Sequence, residues 1–136
     1  MHDGNMNKIN TKYPGKRVLV AEDYLVNQEV TQDILELMEF EVDIAENGRE
    51  AVEKHQKYVY DVILMDIQMP ELDGYEATRI IRLKEGSSKH TTIIALTANA
   101  LSGDKEKCIE AGMDDYIAKP IEATKLEQIL RKYLPS

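Results

Sequence analysis

Tryptophan is absent from this chain of 136 residues, phenylalanine occurs once, and cysteine occurs once, at Cys108. A single cysteine excludes an internal disulfide and fits a reducing compartment. Its place in a helical run, Lys105 to Ala111, suits a small buried hydrophobe better than a metal ligand. Basic residues are in deficit, with 17 lysine plus arginine against 25 aspartate plus glutamate and a formal charge of -8. Such a surface repels nucleic acid backbones and anionic membranes, which excludes direct binding to either as the default. No apolar run approaches bilayer length, and the polar stretch Met1 to Lys12 lacks the hydrophobic segment of a secretion signal, so a cytoplasmic domain is expected. There is no Gly-rich P-loop and no dinucleotide fingerprint, which disfavours bound ATP or NAD.

What the chain does contain is 43% hydrophobic residues, enough for one buried core and too few residues for two comfortable domains. Five apolar runs alternate with segments of helical periodicity. Strands are expected at Arg17 to Ala21, Val42 to Ala45, Val62 to Met65, Ile93 to Leu96 and Tyr116 to Ala118. Apolar residues at consecutive positions, rather than alternate ones, mark strands buried on both faces of a parallel sheet. Helical stripes are expected at Val26, Val30, Ile34 and Met38, at Ala51, Val52 and His55, and at Ala77, Ile80 and Ile81. Ser102 is a plausible cap before a helix that ends at Gly112, and a last helix from about Glu122 should turn Leu126, Ile129, Leu130 and Leu134 to the sheet. Residues 1–15 show no period and are expected to be a frayed tail, leaving 16–136 as the domain. The fold class is α/β, a doubly wound (βα)5 three-layer sandwich with flavodoxin-like parallel order 2-1-3-4-5.

Ligands in such sheets bind beyond the carboxyl ends of the strands. Glu22 and Asp23 follow the first strand, Asp66 ends the third, Thr97 follows the fourth and Lys119 the fifth. The Glu-Asp pair alone would be ordinary loop charge, Thr97 alone a strand-end cap, and Lys119 alone a salt bridge. Asp66, directly after Ile63, Leu64 and Met65, is partly buried by expectation, where a carboxylate is costly unless paired or metal-bound. Together the set offers hard oxygen ligands for Mg²⁺, with the backbone carbonyl of Gln68 available beside the carboxylates. Asp66 would then act as a nucleophile toward phosphorus, with Lys119 and the Thr97 hydroxyl facing the phosphoryl oxygens. No histidine competes for the role, since His2 is in the tail, His55 in the second helix and His90 in a polar loop. The residues alone leave the isomer of the Lys119-Pro120 bond open.

The stretches VLVAED, DVILMDIQMPELDGYEATRIIR, IIALTANA and AGMDDYIAKP resemble the receiver domain of two-component response regulators, over essentially all of Lys16 to Leu134. VNQEV after the acidic pair, with ALTANA, resembles the receivers of hybrid sensor histidine kinases in particular. The resemblance implies that Asp23 binds Mg²⁺ directly and Glu22 through water, with Mn²⁺ or Ca²⁺ able to substitute in vitro. It implies that Asp66 accepts a phosphoryl group from a phosphohistidine on a histidine kinase or histidine phosphotransfer domain. Thr97 and Tyr116 would be switch residues, Lys119 would pair with the phosphoryl group, the Lys119-Pro120 bond would be cis, and Gln68 and Asn99 would tune hydrolysis. A weak phosphorylation-dependent dimer and a membrane tether through a parent sensor kinase are compatible with it. The domain would assist its own phosphorylation without being a kinase, and the charged tail before Lys16 favours a domain cut from a longer protein. One position departs from the hybrid pattern: Tyr24 stands where asparagine is usual, which bears on partner docking and phosphate lifetime.

Two other classes are open to the same fold. A receiver-like interaction module would lack phosphorylation, and nothing in the acidic pair, acceptor, threonine or lysine points to that loss. A flavin binder would want aromatic stacking and hydroxyl-rich phosphate loops at the strand ends, and a phosphatase would want a second acid where Gln68 stands. Val26 is either a core residue or one that meets a donor helix at the active edge.

Overall fold

Consecutive Val, Ile and Leu leave a strand no polar face, so such strands must lie where helices cover both sides. The structure, a computed structural model, describes residues 9–98 and 103–135. Strands β1 (Arg17–Ala21), β3 (Val62–Asp66) and β4 (Thr92–Thr97) form its buried centre, with β2 (Glu41–Ala45) and β5 (Asp115–Ala118) at the edges. All pairings are parallel and the order is β2-β1-β3-β4-β5, as expected. Register sets Ala21 beside Met65, Asp66 beside Leu96 and Thr97 beside Ala118, so Glu22, Asp66, Thr97 and Lys119 leave the sheet at one edge.

Helices α1 (Leu25–Leu37), α2 (Gly48–Lys57), α3 (Gly74–Glu85), α4 (Asp104–Ala111) and α5 (Ala123–Tyr133) cover the two faces. Ile34, Leu35 and Met38 from the α1 side join Leu126 and Leu130 of α5 in one core, while Ala51, Val52, Ala77, Ile81 and Cys108 build the other with α2, α3 and α4. Each large side chain so buried contributes about 1.5–3 kcal/mol. Asn47 caps α2 through Glu50 N–H, and Asp73 and Glu76 form a reciprocal capping box on α3. Gly112 takes the left-handed conformation (φ 104°) that ends α4, as expected, and Gly103 precedes that helix. Ser102 lies outside the described residues. No described helix is long and apolar enough to cross a membrane.

Two expectations are corrected. The apolar row Val26, Val30, Ile34, Met38 is not one buried face, because Val26 and Val30 are 53% and 47% exposed. Steps of four advance 400° around a helix of 100° per residue, so the row drifts off the core by about 40° each time. The buried face of α1 is instead Gln28, Thr31, Ile34 and Leu35. The second correction concerns the frayed tail, since residues 9–15 are packed on the domain. Ile9 and Tyr13 are buried, Tyr13 stacks on Phe40 at 4.9 Å, and its hydroxyl donates to the carbonyl of Leu134 at 3.1 Å. Thr11 donates to the Glu127 carboxylate at 2.6 Å through its hydroxyl. The segment lacks a helical or strand period because it is held by scattered contacts to the end of α1, to Phe40 and to α5 and its C-terminal end, and not by a ladder.

At the opposite edge from the strand ends, His55 and Glu85 are both buried and 3.0 Å apart. Arg82 and the Thr91 amide also donate to the Glu85 carboxylate, at 2.7 and 2.9 Å. Burial raises the Glu85 carboxyl, but Thr91, Arg82 and His55 together outweigh it and bring it down to about 2 from the ordinary 4.5. Burial lowers His55 more than Glu85 raises it, so its imidazole stays neutral below its usual range. Both folded-state values are depressed, so both groups add protons to the unfolded chain first, and stability falls with pH below the ordinary histidine value. From Glu85, a loss of roughly 2 kcal/mol is expected between about pH 6 and about pH 3. Urea denaturation across that range should show a flatter acid limb for Glu85→Gln, and parallel limbs would refute the assignment.

Candidate functional site

Three loops deliver the site. Glu22 leaves β1 with its N–H donating to the Ala45 carbonyl at 2.9 Å, and its own carbonyl accepts from the buried Gln28 amide at 2.7 Å. Gln28 thereby ties the acidic loop to α1, a role the sequence reading missed. Its only signal was a polar residue on the face that α1 buries. Asp66 is the last residue of β3 and is 4% exposed, Glu22 is 1% exposed, and Asp23 is open to solvent. One carboxylate oxygen from each of Glu22, Asp23 and Asp66 lies within 4.8 Å of the others. Three hard anionic donors at that spacing fit a divalent cation such as Mg²⁺, and among the described residues no histidine or cysteine joins the group.

Lys119 arrives from the end of β5, where its N–H donates to the Thr97 carbonyl at 2.8 Å. Its ammonium is 2.7 Å from Asp66 Oδ2 and 3.2 Å from Glu22 Oε1, so one cation bridges two buried carboxylates. The Lys119-Pro120 bond is cis. Burial, then the nearby Asp66, push the Glu22 carboxyl up to about 7 despite Lys119 and the Tyr24 N–H that donates to it at 3.1 Å. Burial lowers the Lys119 ammonium, but Asp66 and then Glu22 outweigh it and hold it above its ordinary value. The cluster therefore has more negative charge than its lysine balances, which is the electrostatic condition for recruiting a further cation.

The remaining expected residues fall as follows. Gln68 donates its N–H to Asp66 Oδ1 at 3.1 Å, orienting that carboxylate, and its side chain is exposed. Thr97 is buried at the end of β4, with its hydroxyl donating to Asp104 Oδ2 at 2.7 Å. Tyr116 is half-buried against the α2–α4 core. Tyr24 is 59% exposed beside Asp23. Asn99 lies outside the described residues. A cavity of about 270 Å³ opens beside Asp66, lined by Gln68, Thr97, Asp104, Lys107 and Lys119 among others. An apolar groove of about 260 Å³ borders Glu22 and Lys119 on the other side, lined by Val26, Val30, Pro120 and Ile121.

Gly74 was also missed by the sequence reading. A Cβ there would meet the carbonyl oxygen of Asp66 itself and the Ile67 Cα at 2.9 Å, so α3 starts against the backbone of Asp66. The glycine directly after the capping Asp73 was the available signal.

The chain is similar to known proteins over most of its length. It is 44% identical over 121 residues to hybrid signal transduction histidine kinase I of Dictyostelium discoideum, covering 85% of this chain and 7% of that protein. It is 41% identical over 118 residues to the signal transduction histidine-protein kinase BarA of Escherichia coli, covering 87% of this chain and 13% of that one. The chain thus spans a small fraction of these relatives. Among solved structures, the receiver domain of the sensor histidine kinase PA1611 of Pseudomonas aeruginosa, with a magnesium ion coordinated in its active site cleft, is 45% identical. It superposes with a TM-score of 0.82 over 90% of this chain and 99% of that one. The receiver domain of Saccharomyces cerevisiae Ssk1, solved with the histidine phosphotransfer signaling protein Ypd1, is 32% identical with a TM-score of 0.81, covering 89% and 90%. The family model of the response regulator receiver domain matches residues 18–131, and the chain belongs to that family.

Proposed function

We propose that this chain is the phosphoacceptor of a His-Asp phosphorelay, with Asp66 taking the phosphoryl group from a phosphohistidine on a histidine kinase or histidine phosphotransfer domain. The observation that carries the reading is the buried Asp66 carboxylate held against Lys119 within a triad of carboxylates. An Asp66 oxygen attacks phosphorus, the P–O bond forms as the P–N bond breaks, and the departing imidazole takes a proton from its surroundings. Asp23, Asp66 and the Gln68 carbonyl would hold Mg²⁺, with Glu22 acting through water. When bound, that ion supplies positive charge that screens the carboxylates from the incoming phosphate. Lys119 then exchanges its carboxylate partners for a phosphoryl oxygen, and Thr97 donates its hydroxyl to another. Movement of Thr97 and Tyr116 changes the surface around α4, β5 and α5.

Support for the donor comes from the groove over Val26, Val30 and Ile121, an apolar surface that borders Glu22 and Lys119, the residues beside Asp66. A helix carrying a histidine fits that surface in shape and polarity, and exposed Tyr24 at its border would select among donors. The relatives support a place within, or downstream of, a hybrid kinase.

Incubation with acetyl phosphate and Mg²⁺ should add the mass of one phosphoryl group, removable by hydroxylamine. Asp66→Asn should abolish the adduct, and chelation should reduce it by at least about tenfold. An adduct that survives Asp66→Asn would assign the chemistry elsewhere, and no adduct under any donor would favour a phosphorylation-silent interaction module.

A further inference from the structure

The phosphoacceptor reading requires the Thr97 hydroxyl to turn toward a phosphoryl group, yet that hydroxyl's proton is already committed. It donates to Asp104 Oδ2 at 2.7 Å, a length typical of a charge-assisted bond from a hydroxyl to a carboxylate. Asp104 is the first residue of α4, so the bond ties the end of β4 to the start of the next helix. The other carboxylate oxygen faces the Tyr75 hydroxyl of α3 at 3.5 Å, placing the aspartate between two helices. Asp104 and Asp66 line the same 270 Å³ cavity.

A hydroxyl carries one proton, which can be given to Asp104 or to a phosphoryl oxygen but not to both at full strength. A phosphoryl group on Asp66 also brings roughly -1.5 to -2 of charge into the cavity that Asp104 lines. Both effects oppose the phosphorylated arrangement while Asp104 keeps its hold.

Resting on the phosphoacceptor reading, we propose that Asp104 is a latch: a positioning residue that retains Thr97 in the unphosphorylated arrangement and so sets the threshold of the switch. Phosphorylation breaks the Thr97–Asp104 bond and frees the start of α4 from β4, which gives the helix a reason to move. A ligand that favours one of two arrangements shifts the population only by its differential interaction, and the latch supplies part of that difference.

Beryllofluoride occupies the phosphoryl position on an aspartate and can be titrated calorimetrically in the presence of Mg²⁺. Asp104→Ala should bind it about tenfold more tightly than the unaltered chain, the factor expected from losing one charge-assisted hydrogen bond that competes with binding. Asp104→Asn, whose amide oxygen still accepts but carries no charge, should fall between the two and guards against a folding defect in the alanine variant. In a Thr97→Val background the gain should vanish, because the latch acts only through the hydroxyl. Unchanged or weaker binding by both Asp104 variants overturns the latch alone, as does a gain that persists without the Thr97 hydroxyl. Failure of the unaltered chain to bind beryllofluoride with Mg²⁺ overturns the phosphoacceptor reading and the latch with it.

Discussion

Lys119→Met should turn a fold that stands alone into one that leans on a divalent cation. Lys119 bridges Asp66 and Glu22 at 2.7 and 3.2 Å, and both carboxylates are buried. Methionine keeps the volume of the stem and removes the charge, so two buried anions face each other with Asp23 nearby. Breaking a buried pair by deleting one partner costs about 3–5 kcal/mol. Protonation of Glu22, already pushed up to about 7, relieves part of this, so a loss of about 3 kcal/mol in unfolding free energy is expected at neutral pH without divalent ions. Saturating Mg²⁺ should restore much of that loss and stabilise the variant more than the unaltered chain, because the ammonium no longer repels the ion. Urea denaturation with and without Mg²⁺ measures both quantities. Equal responses to the ion in the two proteins would show that Lys119 and the cation do not share the carboxylates.

Gly74→Ala should damage both stability and phosphorylation, although residue 74 carries no chemistry. The added methyl would collide with the Asp66 carbonyl and approach the Ile67 Cα to 2.9 Å, and these are backbone atoms that cannot rotate away. Overpacking of this kind costs about 1–3 kcal/mol, and relief requires α3 to withdraw from the end of β3. That shift moves the acceptor relative to Glu22, Asp23 and Lys119, whose spacing sets the site. A fall in acetyl phosphate labelling of at least about tenfold is expected, measured under conditions where the variant remains folded. A helix control, Ala77→Gly, weakens α3 through lost helix propensity and a small core cavity rather than through collision with the Asp66 backbone, and should leave labelling of the folded fraction nearly unchanged. Equal losses of labelling in the two variants would mean that close approach to the acceptor is not what Gly74 provides.

Sheet order and the acidic edge were legible before any coordinates because they follow from local pattern. Doubly apolar strands such as Val62 to Met65 and Ile93 to Leu96 demand helices on both faces, and few right-handed crossovers are compatible with five such repeats. Residues at the ends of parallel strands must then share one edge, so Glu22, Asp23, Asp66, Thr97 and Lys119 could be grouped from their places in the chain. The α1 stripe misled for an equally physical reason. Residues spaced by four drift around a helix, and hydrophobicity alone does not say whether Val26 and Val30 serve the core or an exposed groove. Packing of residues 9–15 was invisible because Tyr13 and Thr11 are held by partners remote in the chain, Phe40, Leu134 and Glu127, with no local periodicity to mark them.

By itself, the sequence determined the repeat, its topology and the identity of the chemical groups at the strand ends, since these depend on side-chain type and short-range spacing. Tertiary structure alone decided that Lys119 spans two carboxylates, that Thr97 is held by Asp104, and that Gly74 must be bare of a side chain. Those relations are distances of a few ångströms between segments remote in the chain. They arise only when packing brings separate helices and strands together, so a local pattern such as the glycine after Asp73 can mark a position without showing what it meets.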